Sequence, residues 1–299
     1  MPAWLHDPVT DRTVRVAADR ARRPNDFSSG DERRRCPFCR GSEEDTPAEA
    51  DRITGPDGQW RVRAVPNLYP AVEGEDGAHE VIVESPRHVV RFADLSDEES
   101  TDAVRMAFRR LAHWRSQGET RHTILFKNEG RAAGASLEHV HSQLVALPRT
   151  PPAIAAMWDR VLGEPREPTP ERFVTELDGW RIDTPAAPRV AWESSVRPAG
   201  AGATIEALAN DRKACGSLGR TLRRLVAAAT SRADATAYNW VLQAPPTDAD
   251  PRLADRWWIE LTPRRAVVAG FELGTGLWIN TVDPRAAAAG LREELLRDD

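Results

Sequence analysis

The stretch that decides the fold is Phe126-Lys-Asn-Glu-Gly-Arg-Ala-Ala-Gly-Ala-Ser-Leu-Glu-His-Val-His-Ser-Gln-Leu-Val-Ala-Leu147. A loop of small residues from Asn128 to Ser136 separates a short apolar run from a second segment, His139 to Leu147, that predicts a strand. Successive side chains of a strand point to opposite faces. The pattern therefore places three polar side chains on one face, namely His139, His141 and Gln143.

The loop before these side chains contains Gly130 and Gly134 and is rich in backbone N–H groups. Such a loop suits an anionic, phosphate-like ligand. The ordinary alternative is a half-buried strand whose polar residues face water. Two histidines and a glutamine at alternating positions after a glycine-containing loop favour a binding or catalytic site over that alternative.

The pattern Asn128-x5-Gly134-x-Ser136-x2-His139-x-His141-x-Gln143 resembles the active-site segment of galactose-1-phosphate uridylyltransferases. These enzymes form a branch of the histidine-triad superfamily that also includes ADP-glucose phosphorylase-like proteins. The resemblance implies that His141 is the nucleophile that takes up a nucleotidyl group and that His139 is a zinc ligand. It also implies that Gln143 replaces the third histidine of the triad hydrolases.

The sequence Cys36-Pro-Phe-Cys39 is the strongest metal-binding signal outside this stretch. Two thiolates separated by two residues can hold one ion, although the spacing alone also fits a redox pair or a chance occurrence. The family resemblance adds His88, which follows a Ser-Pro turn, and His139. We therefore predict a zinc site formed by Cys36, Cys39, His88 and His139.

The remaining candidate site residues come from the same resemblance and from the chemistry of phosphoryl transfer. Ser136 could stabilise charge on the phosphoryl oxygens, as in an oxyanion hole, and Lys127 and Arg131 are candidates for phosphate contact. A backbone carbonyl should hold the second ring nitrogen of His141 and so fix its tautomer. The residues that the resemblance assigns to substrate binding are Asn67, Asn128, Gly134 and Glu272.

The order of predicted elements indicates an α+β fold built from two histidine-triad-like units, with an antiparallel sheet and packed helices. Residues 1–150 would hold the zinc site and the nucleophile, and residues 151–299 would form a second copy without the motif histidines. In that copy the corresponding positions are Arg256, Trp258 and Glu260. Ser96 and Glu99 form a predicted capping box at the start of a helix.

Composition excludes several classes of protein. The chain has 299 residues, 40% hydrophobic, with a formal net charge of −5, which argues against a general nucleic-acid binder. Its polar start lacks the apolar core of a secretory signal, and no apolar run is long enough to cross a membrane. Three cysteines are too few for a disulfide framework, so we expect a reduced, cytoplasmic protein.

Two functions of different classes remain. The first is a nucleotidyltransferase that moves a nucleoside monophosphate from a nucleotide-sugar to a sugar 1-phosphate through a covalent nucleotidyl-histidine; phosphate or water as acceptor would make it a phosphorylase or a hydrolase. The second is a non-catalytic nucleotide-binding protein stabilised by zinc. A binding protein has no need of a nucleophile, so His141 favours the enzyme. Residues 269–280 resemble a family loop that completes the partner's site, and we therefore expect a homodimer.

Overall fold

The computed structural model describes residues 3–17, 20, 35–164, 170–265 and 267–297. Within these residues the strands are β1 (Ala3–Asp7), β2 (Arg12–Val16), β3 (Asp51–Thr54), β4 (Trp60–Pro66), β5 (Ala78–Val83), β6 (His122–Glu129), β7 (His141–Leu147), β8 (Phe173–Leu177), β9 (Trp180–Asp183), β10 (Ser194–Pro198), β11 (Tyr238–Gln243) and β12 (Trp258–Pro263). The α-helices are α1 (Asp97–Arg115), α2 (Pro152–Gly163), α3 (Ile205–Asn210), α4 (Arg212–Ala233), α5 (Gly270–Thr275) and α6 (Pro284–Arg297).

A ten-stranded antiparallel sheet forms the body of the described chain, in the order β3-β4-β5-β7-β6-β11-β12-β10-β9-β8. The order is mirrored about the β6–β11 pair, where Asn128 lies opposite Asn239. Strands from residues 51–147 lie on one side and strands from residues 173–263 on the other. The predicted α+β class, with an antiparallel sheet and packed helices, is confirmed.

The helices α1 and α4 pack against each other and bury the sheet's apolar face. The predicted capping box is present: the Ser96 hydroxyl accepts from the backbone N–H of Glu99, and the Glu99 carboxylate accepts from that of Ser96. Phe108 and Leu111 of α1 are buried in the main core, one helical turn apart on the same face. None of the helices in the described part of the chain is long and apolar enough to cross a membrane.

Two predicted elements differ from those observed. The strand predicted to start at His139 starts at His141, because the Val140 backbone N–H donates to the Val89 carbonyl at 2.7 Å instead of joining the sheet. Residues 269–280, expected to be a glycine-rich loop, contain the short helix α5. His139 is thereby turned out of the strand register and belongs to the loop that precedes it.

Candidate active site and metal centre

Strand β7 directs alternate side chains to opposite faces of the sheet. Ser142 and Leu144 point toward the helices: Leu144 joins the main core, and the Ser142 hydroxyl donates to Glu84 at 2.7 Å. His141 and Gln143 point to the other face, where Phe38 lies 5.4 Å from the His141 ring. The strand therefore aligns the two motif side chains in register, as the alternation predicts.

The ring of His141 is fixed by the backbone of its own segment. Its Nδ1 lies 2.7 Å from the His139 carbonyl oxygen, which can only accept, so Nδ1 carries the proton. In this tautomer the lone pair of the neutral ring is on Nε2. The structure thus has the backbone carbonyl contact expected for His141, and the ring is in the form needed for nucleophilic attack.

A buried ion pair lies beneath the histidine segment. Lys127 Nζ donates to Glu84 at 2.6 Å and to the His141 carbonyl at 2.7 Å, and both side chains are almost fully buried. The prediction that Lys127 contacts phosphate is therefore wrong, because its ammonium group is already enclosed by protein acceptors. Instead, Lys127 anchors the main chain at His141. Arg131, the other phosphate candidate, is exposed in the loop.

Gln143 is joined to two side chains of the neighbouring strands. Its Oε1 lies 3.0 Å from Nε2 of His79, at the start of β5, and 3.5 Å from Nδ2 of Asn67, in the loop after β4. Asn67 is one of the predicted substrate-binding residues, whereas His79 was not recognised from the sequence. The sequence places His79 on the same face of β5 as Val81 and Val83, and this position is the one feature that could have indicated a role for it.

The loop before β7 is braced by the opposite half of the chain. Asn239 of β11 donates from its amide to Asn128 Oδ1 at 2.8 Å and to the Ala133 carbonyl at 2.9 Å. Gly130 has a φ of +81°, and a Cβ there would meet the Ala237 methyl at 2.7 Å. The close approach of the two halves therefore requires glycine at position 130.

Two further predicted residues lie in the same loop. Gly134 adopts the left-handed conformation, with φ of +80°, and closes a turn by donating to the Arg131 carbonyl. The Ser136 hydroxyl is buried, and within the described chain no group hydrogen-bonds to it. A buried polar group of this kind costs free energy unless a ligand satisfies it, which fits a phosphoryl contact.

The predicted metal ligands converge on one point. One ligand atom from each of Cys36, Cys39, His88 and His139 lies within 4.8 Å of the others. His139 Nδ1 is 3.5 Å from Cys36 Sγ and 3.6 Å from Cys39 Sγ, and His88 Nδ1 is 3.4 Å from Cys39 Sγ. A tetrahedral zinc ion with ordinary bond lengths separates sulfur from nitrogen by about 3.5 Å. The donor set and its spacing therefore fit zinc.

The surroundings of these ligands also suit a metal. The His139 Nε2–H donates to the Ser85 carbonyl at 2.9 Å, which leaves the lone pair on Nδ1, toward the thiols. Burial lowers the pKa of His139 to about 4, so the ring is neutral at physiological pH. Burial likewise raises the pKa of the Cys36 thiol to about 12. A cation is then needed to hold this thiol as a thiolate.

Phe38 connects the metal centre to His141. It lies between the two cysteines in sequence, and its ring is 5.9 Å from His139 and 5.4 Å from His141. An ion held by Cys36 and Cys39 would therefore also fix the position of Phe38 beside His141. Glu272 lies apart in α5, where its carboxylate accepts from the Ala269 N–H at 3.2 Å; none of its described contacts reaches the other site residues.

Several known proteins are similar to this chain in sequence. Residues 20–150 match the family model described as "Domain of unknown function (DUF4931) N-terminal domain". ADP-glucose phosphorylase of Arabidopsis thaliana is 29% identical over 98% of this chain and 93% of the relative. Galactose-1-phosphate uridylyltransferase of Thermotoga maritima is 25% identical over 96% of this chain and 97% of the relative.

The chain is related to the galactose-1-phosphate uridylyltransferase family. The resemblance predicted from the His139–Gln143 motif is thereby confirmed, and so is the prediction of an enzyme of this kind, since these relatives are nucleotidyltransferases. The fold agrees as well: the crystal structure of an ADP-glucose phosphorylase from Arabidopsis thaliana with bound ADP-glucose superposes with a TM-score of 0.77. It is 27% identical and covers 98% of this chain and 99% of that one.

Proposed function

We propose that this protein transfers a nucleoside monophosphate from a nucleotide-sugar to a phosphate-bearing acceptor through a covalent intermediate on His141. The observation that carries the proposal is the 2.7 Å contact between Nδ1 of His141 and the His139 carbonyl, which leaves the lone pair on Nε2. A neutral imidazole so oriented can attack phosphorus directly. Covalent catalysis then divides one difficult displacement into two easier ones.

In the first step Nε2 of His141 attacks the phosphorus next to the nucleoside. A P–N bond forms, the P–O bond to the sugar phosphate breaks, and sugar 1-phosphate leaves with the electron pair. In the second step an acceptor phosphate oxygen attacks the same phosphorus, the P–N bond breaks, and His141 returns to its neutral form. A sugar phosphate is a stable anion, so its departure needs no proton, which suits Gln143 at this position.

The proposed roles of the neighbouring residues follow from their contacts. Gln143 and Ser136 would donate hydrogen bonds to the phosphoryl oxygens, together with the backbone around Gly134. Asn67 and Asn128 would contact the nucleotide. Zinc, held by Cys36, Cys39, His88 and His139, would supply a structural cross-link that fixes the Cys36–Cys39 turn and the segment leading to the nucleophile.

The acceptor is the finer part of the proposal. Similarity along nearly the whole chain to an ADP-glucose phosphorylase supports inorganic phosphate, which would yield a nucleoside diphosphate. Similarity to a uridylyltransferase supports a sugar 1-phosphate, which would yield a new nucleotide-sugar. We favour phosphate. Ser142, whose presence resembles the phosphorylase branch, faces Glu84 on the helical side, so it would not select the acceptor by contact.

A homodimer is the proposed assembly. Residues 269–280 expose several large apolar side chains, a pattern typical of surfaces that bind another protein: Phe271 48%, Leu273 77%, Leu277 62%, Trp278 46% and Ile279 61% exposed. A second copy covering this segment would bury them and could bring Glu272 to the sugar of the neighbouring site. Sedimentation of wild type and of Leu273→Glu would test this, since the charged variant should dissociate.

Isotope exchange tests the covalent route and the acceptor together. ADP-glucose or UDP-glucose is incubated with labelled glucose 1-phosphate and no second substrate. A covalent intermediate predicts label in the nucleotide-sugar, because only the first step needs to reverse. Adding inorganic phosphate or galactose 1-phosphate then reveals the acceptor by the product formed. No exchange and no product with either donor would contradict the proposal.

A further inference from the structure

Backbone amides of the loop between β4 and β5 fix the tautomer of His79 and the orientation of the Asn67 amide, the two side chains that contact Gln143. The backbone N–H of Ala71 donates to Nδ1 of His79 at 2.9 Å. A backbone amide can only donate, so Nδ1 must be unprotonated, and the neutral ring carries its proton on Nε2. This nitrogen is the one that lies 3.0 Å from Gln143 Oε1. The contact is therefore a hydrogen bond from histidine to the amide oxygen.

A second backbone amide acts in the same way on Asn67. The N–H of Tyr69 donates to Asn67 Oδ1 at 2.8 Å, which directs Nδ2 toward Gln143 Oε1 at 3.5 Å. Nδ2 is also 3.2 Å from His79 Nε2, but both nitrogens then carry hydrogens, so this contact is not a hydrogen bond. Two donors thus converge on one oxygen of Gln143.

The orientation of the Gln143 amide follows from these donors. Its oxygen faces His79 and Asn67, and hence its NH2 group faces the other way. In the opposite flip, NH2 would meet the N–H of His79, and a buried donor would lose its acceptor. Gln143 is 2% and His79 5% exposed, so water cannot easily replace the lost bond.

We propose that His79 is the positioning residue that holds the Gln143 amide with its NH2 group toward the phosphoryl group. The inference rests on the proposed function, because the Gln143 NH2 group is useful for catalysis only if a phosphoryl group binds beside it. His79 does not touch the substrate and acts through Gln143. Asn67, with the longer contact, is the weaker of the two supports.

A double-mutant cycle tests this role in the full-length protein, with ADP-glucose and inorganic phosphate as substrates. In the wild-type background, His79→Leu should lower kcat about tenfold to a hundredfold, less than the roughly 10²–10³ for outright loss of one donor, with a smaller change in KM. In the Gln143→Ala background, the same substitution should lower kcat less than about threefold, because the group that it positions is gone.

Two amide substitutions at position 79 separate a positioning role from a folding role. His79→Gln can present an amide N–H near the Nε2 position and should restore much of the rate. His79→Asn can accept from the Ala71 N–H but is too short to reach Gln143, so it should fold and remain slow. His122→Leu, which removes another buried histidine of the first half, should leave the rate within about twofold.

The outcomes are distinct. Additive effects of His79→Leu and Gln143→Ala, or equal rates for His79→Gln and His79→Asn, would overturn the inference while leaving the proposed function standing. An inactive wild type would overturn the proposed function and this inference with it. Loss of the His79→Leu effect in the Gln143→Ala background, together with rescue by His79→Gln, is the result expected.

Discussion

The two halves of the sheet have mirrored strand orders but different polar side chains at the corresponding positions. All seven histidines lie within residues 1–150, whereas residues 151–299 contain none. Strand β7 carries His141 and Gln143, while β12, its mirror strand across the centre of the sheet, carries Trp258 and Glu260. The comparison shows that an arrangement of strands does not by itself make a site.

The second half uses these positions for internal contacts. Glu260 accepts from Arg189 at 3.0 Å and from the Trp258 indole at 3.1 Å, and Trp258 packs 5.2 Å from Trp158. Arg256 donates to the Glu164 carbonyl at 3.1 Å. We propose that residues 1–150 and 151–299 are two copies of one unit, of which the second supports the first through Asn239.

The largest expected effect is at His141. His141→Ala should lower transfer by several orders of magnitude, because it removes the covalent path itself. Fold and metal content should stay unchanged, as judged by circular dichroism and metal analysis. The matched variant in the second half, Trp258→Phe, should transfer at nearly the wild-type rate. Comparable losses in both would contradict the assignment of the chemistry to the first half.

The next largest loss of activity is expected when Gln143 is replaced by the residue at its mirrored position, Glu260. Gln143→Glu introduces the side chain of the second half and replaces a donor with a carboxylate that repels phosphate. We expect transfer to fall by about 10²–10³, the range for loss of one oxyanion donor. Glu260→Gln is the reciprocal control and should leave steady-state rates unaltered. A Gln143→Glu enzyme with full activity would show that the amide donates nothing.

Removal of a metal ligand should lower stability and metal content together. Cys36→Ser should reduce bound zinc to well below one ion per chain and lower the unfolding temperature, since structural zinc contributes directly to folding. Cys215→Ser changes a buried thiol in α4 that bonds the Leu208 carbonyl and should keep its zinc. Full folding without any zinc in either protein would argue against a structural metal centre.

The support given by the second half can be measured at Asn239. Asn239→Ala removes the bonds to Asn128 and the Ala133 carbonyl, so the loop before β7 should shift and the rate should fall roughly tenfold to a hundredfold. Gln243→Ala, four residues along the same strand, is the control and should retain its rate. Equal rates for both variants would mean that the first half holds its loop unaided.

The smallest expected effect is on the pH dependence of the free energy of unfolding. Burial, with a further contribution from Arg115, lowers the pKa of His122 from 6.5 to about 4. As pH falls, the unfolded chain therefore takes up this proton before the folded chain does. The free energy of unfolding should decrease between pH 6.5 and about pH 4. Urea unfolding should show that His122→Leu reduces the stability difference between pH 8 and pH 5 by about 2 kcal/mol. An unchanged difference would place the acid sensitivity elsewhere.

Local signals explain what the sequence could predict. Alternation within β7, the Ser96–Glu99 capping box and the cysteine spacing depend on neighbouring residues, and family resemblance added His88 to the metal set. The strand start at His141 depends instead on a bond between Val140 and Val89, which no local pattern contains. Register between distant strands created the contacts that were missed: His79 with Gln143, Lys127 with Glu84, and Asn128 with Asn239.

The central claim is a nucleotidyl group carried by His141. Incubation with ADP-glucose or UDP-glucose in the absence of acceptor, followed by rapid denaturation and intact-mass measurement, should show one added nucleoside monophosphate per chain. Peptide mapping should locate it on His141, and His141→Ala should carry none. An adduct on another residue, or turnover of nucleotide-sugar by wild type with no adduct at any time after mixing, would contradict the account.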